Sequence, residues 1–416
     1  MKVASIEILP MDAQDLITLE RLNPHLLEQP LAEGLRLEMD SVGSPRFSPH
    51  HARHLWIRLE RLYHEELEAL VEGLGRDRVA FYTCPETSDV IALGESRIDR
   101  WKTFSESSLC PPELRFALNH LLESNATTSF ELSLAGGGTF LLDQNPRVAG
   151  ILNITPDSFS DGGQFIAPQK AIDHGLEMVE LGADWIDIGG ESSRPGSDPV
   201  PAKIQLSRVL PVIEALSDQV DVPLSIDTTS SLVARESLAA GAHIVNDISG
   251  LHHDPELATV VASAGASIVL MHMRGTPATM QQDTHYDNLI GEILTGLRTS
   301  IRMALTAGVP AHSIIIDPGI GFGKNMDQNF QILSRLSEFR SLGKPILVGP
   351  SRKQFIGSSL QRETPDRIHG TAAAVALSVA SGAHIVRVHD VSAMKDVARI
   401  AAWIRQGQGP VVGVPS

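Results

Sequence analysis

A chain of 416 residues, 42% hydrophobic and 20% charged, is long enough for a large domain plus a smaller one and apolar enough to bury a sizeable core. Fifty acidic residues against 34 basic ones leave a net charge of −16, which argues against a nucleic-acid surface or an anionic-membrane patch, yet allows a few cations gathered in one cleft to bind a small anion. The two cysteines, Cys84 and Cys110, form no metal-ligand spacing, and the stretch from Met1 to Leu16 has neither a signal-peptide core nor a membrane-length apolar run, so a reducing, cytoplasmic setting is expected.

The first third of the chain has its own character. Val3 to Leu9 and Val79 to Tyr82 are predicted strands, and His51 to Leu74, with Leu55, Leu59, Leu62, Leu67 and Leu70 among charges, is a predicted amphipathic helix. Cys110-Pro111-Pro112 breaks the chain before a predicted helix over Glu113 to Leu122. Phe130 to Leu134 and Thr139 to Leu142, joined through Gly136-Gly137-Gly138, make a predicted hairpin. His50, His51 and His54 lie close together but lack carboxylate or cysteine partners, so a partly exposed helix start is a better reading than a metal site. Residues 1–144 are expected to form an accessory α/β domain with no catalytic constellation.

Residues 145–416 follow a different rhythm, in which a helical segment, glycine, alanine, a polar residue and an apolar strand recur. The unit appears as Gly182-Ala183-Asp184, Gly241-Ala242-His243, Gly265-Ala266-Ser267 and Gly382-Ala383-His384, each glycine suited to the left-handed position that ends a helix. The predicted strands are Val148–Leu152, Trp185–Ile188, Pro223–Ile226, Ile244–Val245, Ile268–Met271, Ile314–Ile316, Pro345–Val348 and Ile385–Val388. Short apolar runs without polar alternation mark strands buried on both faces. Helical patterns come between them, as with Leu289, Ile293, Leu297, Ile301 and Leu305 before Gly308. Strand–helix units repeating to this length indicate an α/β fold of the (β/α)8 TIM-barrel type, which takes about 250 residues. An open dinucleotide-binding sheet is disfavoured because no G-x-G-x-x-G follows a strand.

Every one of these strands runs into polar residues. The first meets Asn153 and the loop through Asp161; the second carries Asp187 and meets Gly189-Gly190-Glu191-Ser192-Ser193-Arg194-Pro195-Gly196. Asp227, Asn246, Asp247, His272 and Asp317 follow on the next four, then Ser351-Arg352-Lys353, and finally Arg387 and His389. One aspartate at a strand end is as readily a helix cap as a ligand, but eight polar ends converging on one barrel mouth point to a shared pocket. Asp227, Asn246, Asp317 and Lys353 suit a flat heterocycle bearing amino and carbonyl groups. Arg194, Arg387 and His389 at the rim suit a phosphate group, and Asn153 offers a neutral oxygen to a hard cation such as Mg2+. No Ser-His-Asp order and no H-E-x-x-H spacing is present, which ranks hydrolytic nucleophiles and zinc chemistry low.

These motifs are similar to those of the dihydropteroate synthases. NITPDSFSDGG (153–163), DIGGESSRPG (187–196), SIDT (225–228), NDISG (246–250), LMHMRGTP (270–277), DPGIGFGK (317–324), GPSRK (349–353) and RVHDV (387–391) stand in family order, and the likeness covers about residues 145–406. The resemblance implies a transferase of folate biosynthesis that joins 6-hydroxymethyl-7,8-dihydropterin pyrophosphate to p-aminobenzoate. It implies a pterin pocket of Asp227, Asn246, Asp317 and Lys353, supported by Asp187. Asn153, Arg387 and His389 would hold pyrophosphate and Mg2+, with Ser193 and Arg194 alongside, and Asn153 would be the metal contact. The loops Thr155–Gly163 and Ser192–Gly196 would close over the second substrate, whose site Phe159, Ser193, Arg194, Pro195, Phe322 and Ser351 would line. The implied mechanism is dissociative, with Lys353, Arg387 and His389 acting on the leaving group and cation, and Asp161 stabilising charge as its loop closes. A homodimer is also implied.

Departures from the family pattern are Ser193 in place of threonine, Thr229-Ser230 where a basic residue commonly follows, and His369 where glutamate is frequent. The latter two are expected on helix starts, away from the mouth. The long N-terminal region resembles the extension of longer members, without sharp motifs. Two other readings share the pterin pocket: a methyltetrahydrofolate-dependent methyltransferase, which has no need of a pyrophosphate site, and a non-catalytic pterin-binding paralogue.

Overall fold

The computed structural model describes residues 17–19, 54–59, 64–75, 79–83, 90–155, 166–194 and 196–409. The chain divides into two compact units, residues 1–127 with 341–343, and residues 128–340 with 344–416.

In the first unit, β1 (Ile17–Leu19), β2 (His54–Leu59), β3 (Val79–Thr83) and β4 (Val90–Arg97) form an antiparallel sheet in the order β1-β2-β4-β3. Its helices are α1 (His64–Leu74), α2 (Ile98–Glu106) and α3 (Pro112–Ala126). The helix expected over His51–Leu74 is therefore a strand followed by a shorter helix. The reason is in the periods: His54-Leu55-Trp56-Ile57-Arg58-Leu59 alternates every second residue and pairs along β4, whereas Leu67, Leu70, Val71 and Leu74 recur at helical spacing. Leu70, Leu74 and Trp101 are fully buried. His54 lies in β2, while His50, His51 and the strand expected over Val3–Leu9 lie outside the described residues.

The second unit is a barrel. Its strands are β7 (Arg147–Asn153), β8 (Trp185–Gly189), β9 (Leu224–Asp227), β10 (Ile244–Asp247), β11 (Ser267–Met271), β12 (Ile314–Asp317), β13 (Leu347–Val348) and β14 (Ile385–Val388). All pair in parallel in the order β12-β11-β10-β9-β8-β7-β14-β13, and a parallel bridge from Ile316 to Ile346 brings the two ends of the sheet together. Helices α4 (Ile166–Glu180), α5 (Ala202–Ser217), α6 (Ser231–Ala239), α7 (Glu256–Ala264), α8 (Leu289–Thr306), α9 (Met326–Ser334), α10 (Gln354–Leu360), α11 (Ile368–Ala380) and α12 (Val391–Gln406) alternate with the strands. The expected strands are all present, with ends moved by one or two residues except at Pro345–Val348, where only Leu347–Val348 is regular strand. The glycines of the repeated unit take positive φ (Gly182 96°, Gly241 111°, Gly265 62°, Gly382 104°), and each turns the chain from helix to strand. Among the described residues no helix is long and apolar enough to cross a membrane.

The predicted hairpin, β5 (Phe130–Ser133) with β6 (Thr139–Leu142), belongs to the barrel unit rather than to the N-terminal one. Leu132 and Leu142, both fully buried, pack in one cluster with Ala149, Trp185, Ile244, Val269, Ile315, Leu347 and Ile385. Those seven residues come from seven different barrel strands, so the hairpin closes the N-terminal end as a floor. Burying each leucine contributes about 1.5–3 kcal/mol. With that end filled by hydrocarbon, the polar groups of the barrel gather at the opposite one.

Candidate active site

The strands end at a mouth whose deepest layer is a set of linked charges. Asp187, in β8 and fully buried, accepts from Ser225 Oγ (2.5 Å), from Asn246 Nδ2 (3.1 Å) and from Arg387 Nε (2.5 Å). The same Arg387 donates through Nη2 to Asp227 Oδ2 at 2.7 Å. One guanidinium thus bridges two carboxylates from β8 and β9, and Asn246 of β10 joins them through Asp187. Sequence reading places Arg387 at the rim. The structure sets it deeper, with an 18% exposed side chain, because it lies within β14 while His389 follows the strand.

The electrostatics follow from this crowding. Burial pushes the Asp227 carboxyl up to about 7; Arg387 opposes the shift, and the nearby Asp187, Asp247 and Glu191 add to it. Burial likewise raises Asp317, which accepts the Gly319 N–H at 2.7 Å. Lys353 is lowered to about 8 by burial and by Arg387, against the pull of Asp317 and Asp227. Its Nζ lies 4.0 Å from the centre of the Phe322 ring, within cation–π range. Gly321 makes that approach possible: at φ 82° it carries no Cβ, which would stand 3.1 Å from Lys353 Cδ. Phe322 also packs with Met271 and Met280, so an apolar wall adjoins the lysine.

At the end of β14, Ser351 Oγ lies 3.0 Å from His389 Nδ1 and accepts the His389 N–H at 3.2 Å. Burial, with Arg387 and Arg352, lowers His389 to about 3, so its ring is neutral at physiological pH. Beside it Arg352 pairs with Asp390 at 2.5 Å. Asn153 ends β7, and its Oδ1 lies beside Gly189, where a Cβ would come within 3.2 Å. In the second loop Glu191 accepts from Val200 N (2.7 Å) and Gln205 Nε2 (3.0 Å), and the Gly196 N–H reaches Pro277 O at 3.0 Å. These bonds fix the loop that carries the half-buried Ser193 and the exposed Arg194. Phe159, Asp161 and Pro195 lie outside the described residues.

Three further polar groups lie at or just after the strand ends: Lys324 with His272, Arg274, and Asp247. Lys324, 2% exposed, donates to His272 O at 2.9 Å and lies 3.0 Å from His272 Nδ1, tying the loop after β12 to the end of β11. Burial brings Lys324 down to about 7 and holds His272 well below its ordinary range. Arg274 stacks 3.9 Å over the Tyr286 ring and pairs with Glu292 at 2.5 Å. Asp247 accepts from Ser249 N, Ser249 Oγ and Leu251 N (2.8, 2.7 and 2.6 Å), so it shapes its own loop. Of the departures, Ser230 is the N-cap of α6 and His369 lies in the first turn of α11, both on helix starts as expected.

A family model described as pterin binding enzyme matches residues 149–389. The dihydropteroate synthase of Synechocystis is 49% identical over 267 residues, 64% of this chain and 92% of that protein. The chain belongs to the dihydropteroate synthase family. As a member it is an enzyme, a transferase of folate biosynthesis, and its TIM barrel is the family's fold. Among solved members, the Xanthomonas albilineans dihydropteroate synthase with 4-aminobenzoic acid is 43% identical, with a TM-score of 0.63 over 68% of this chain and all of that one. A structure of the Xanthomonas albilineans enzyme in complex with 7,8-dihydropteroate is 38% identical, with a TM-score of 0.59 over 67% of this chain and 99% of that one.

Proposed function

We propose that the mouth of this barrel joins 6-hydroxymethyl-7,8-dihydropterin pyrophosphate to p-aminobenzoate, giving 7,8-dihydropteroate and pyrophosphate. The observation that carries the reading is the linked set Asp187–Asn246–Arg387–Asp227 with Lys353 beside it. A pterin presents an amino group, ring N–H groups and a carbonyl on one edge; Asp227 and Asp317 supply acceptors, and Asn246 and Lys353 supply donors. Pinned on two carboxylates, Arg387 sets the direction of Asp227 before any ligand arrives, which lowers the reorganisation needed on binding.

In the reaction the bond from the pterin methylene carbon to the pyrophosphate oxygen breaks first, the electron pair leaving with pyrophosphate. The arylamine nitrogen then attacks the methylene cation and afterwards loses a proton. An arylamine is nucleophilic without prior deprotonation, so the mouth needs charge stabilisation more than a strong base. Neutral His389, oriented by Ser351, offers a hydrogen bond to the leaving group, and Arg194 adds positive charge from the loop above. Phe322 and the stem of Lys353 form one wall for the aromatic ring of the second substrate. Asp161 supports the developing cation. Mg2+, when bound, offsets the pyrophosphate charge. Asn153 fits that task as a single neutral oxygen donor at the end of β7, since Mg2+ in such sites takes most of its ligands from phosphate and water.

The enzyme acts in the cytoplasm as a homodimer. Support for the dimer is a set of exposed apolar side chains on neighbouring helices: Met326 and Phe330 of α9, Leu360 of α10, Leu377 of α11, and Ile400 and Ile404 of α12. Light scattering on the purified chain tests it, and a monomer would contradict it.

The activity is tested by supplying the full-length protein with both substrates and Mg2+ and following pyrophosphate and dihydropteroate together. Equal amounts of the two products are expected. Pterin binding without product would favour the non-catalytic reading, and methyl transfer from methyltetrahydrofolate would favour the other.

A further inference from the structure

At the closed end of the barrel lies a cavity of about 230 Å3, lined among others by Gln144, Arg340, Gly382, His384, Arg405 and Gln406. This is the volume of roughly seven or eight waters at ~30 Å3 each. Two guanidinium groups face it from different elements. Arg405, in the last turn of α12, donates through Nη1 to Val379 O (2.9 Å) and through Nη2 to Gln144 O (2.7 Å). Each Nη carries a second hydrogen, so donors remain. Arg340, from the 3-10 turn Leu336–Leu342, runs along Gly382, where a Cβ would stand 3.3 Å from its Cδ. Among the described residues Arg340 makes no hydrogen bond and no ion pair.

The third donor is His384. It is 8% exposed, and its Nδ1 accepts the Ile346 N–H at 3.1 Å, which puts the ring proton on Nε2. Among the described residues Nε2 has no partner. Burial and the two arginines push this histidine down to about 4, so at physiological pH it is a neutral donor.

Nearby negative groups are already engaged. Asp143, which also borders the cavity, accepts the Asn145 N–H at 2.8 Å and lies 3.6 Å from Arg147 Nη2. The carbonyl of the buried Val379 near the end of α11 accepts from Arg405 and from the Gly382 N–H. What is left is a surplus of positive charge, with Arg340 half-buried and Arg405 exposed, around a space with room for a small anion.

We propose that this cavity binds a small dianionic oxyanion of the phosphate class, held between the Arg340 and Arg405 guanidinium groups and the His384 Nε2–H. The site is separate from the catalytic mouth, at the other end of the strands, and does not depend on the assigned reaction. A monovalent ion would leave one guanidinium uncompensated. Bound there, the anion ties the 3-10 turn to α12 and to His384, the residue that leads into β14. Because it binds only the folded arrangement, it stabilises the barrel as its concentration rises.

The test uses the full-length chain and inorganic phosphate as the probe, at ionic strength held constant with sodium chloride. Thermal unfolding is followed for the wild type, Arg340→Gln and His384→Gln. Phosphate can also enter the mouth, and that contribution is common to all three proteins, so the difference between them reports the floor. We expect a saturable rise in Tm for the wild type. Arg340→Gln should shift the half-saturating phosphate concentration on the order of tenfold upward, as expected for loss of a charge-assisted bond, with dihydropteroate formation unchanged. His384→Gln keeps an acceptor for Ile346 and should give a shift of the same sign. An identical phosphate response in wild type and Arg340→Gln, or a wild-type rise matched by chloride alone, would overturn the proposal.

Discussion

The two ends of the barrel are made by the same eight strands and have opposite characters. At the floor, Leu132 and Leu142 meet a ring of apolar side chains, one from each of seven strands, and the packing leaves little room for change. At the mouth, one layer on, two residues beyond Trp185, Ile244, Ile315 and Ile385 in their strands, the interior is filled by Asp187, Asn246, Asp317 and Arg387, joined by Asp227 and Lys353. Hydrocarbon contacts add favourably and locally. Buried charges stabilise nothing unless each finds its partner, and losing one partner strands the others. The floor is therefore where stability is concentrated, and the mouth is where charge is held ready at a cost in stability.

The strongest break in that contrast is Arg387→Ala. It leaves Asp187 and Asp227 without their shared counter-ion, a loss of about 3–5 kcal/mol. We expect kcat/KM to fall on the order of 1000-fold with a lower Tm; a fall of less than tenfold would mean that the bridge is dispensable. Asp227→Ala and Lys353→Ala should act chiefly on pterin affinity, measured by calorimetry.

Leu142→Ala is the converse. It empties a fully buried site in the floor and should lower unfolding free energy by about 2–5 kcal/mol in a denaturant titration. Turnover of the protein that stays folded should be unchanged. A large drop in kcat at full folding would show that the floor positions the mouth.

Asp161→Ala tests the role proposed for the loop through Asp161. The proposed role in charge stabilisation predicts a loss of roughly 10–100-fold in kcat with pterin affinity held within about threefold. Equal losses in both would reassign Asp161 to ground-state binding.

The smallest effect is in the pH dependence. With the Asp227 carboxyl raised to about 7, affinity for an uncharged pterin should fall as the pH drops below that value, approaching tenfold per unit. Stability runs the other way: the folded state holds this proton more tightly than the unfolded chain, so the contribution of Asp227 is lost as pH rises from about 4 to about 7. Asp227→Asn should flatten both slopes. Calorimetric Kd and Tm measured across pH 5–8 check this, and an unaltered Tm slope in the variant would refute the assignment.

The barrel was legible because a strand buried on both faces leaves a short apolar run, and each run here stops at a polar residue on reaching the mouth. Asp187, Asp227, Asn246, Asp317 and Lys353 could be picked out as one group for that reason. The N-terminal sheet was harder to read. The segment His54–Leu59 mixes leucines with arginine and histidine, and over a short window its alternation resembles a helical stripe. Strands β1 and β4 and helix α2 carried no recognisable pattern in sequence, and β4 in particular holds Gly94, Glu95 and Ser96 within a strand defined by its two neighbours.

By itself the sequence determined the alternation of strand and helix, the side of the barrel on which chemistry gathers and the residue types available there. These depend on short-range periodicity, which each segment carries alone. Only the tertiary structure decided that Arg387 bridges carboxylates 200 and 160 positions away, that Lys324 reaches His272, and that the hairpin serves as floor to the barrel. Pairing of buried charges is set by distances of a few ångströms, and those exist only once the strands have closed on one another.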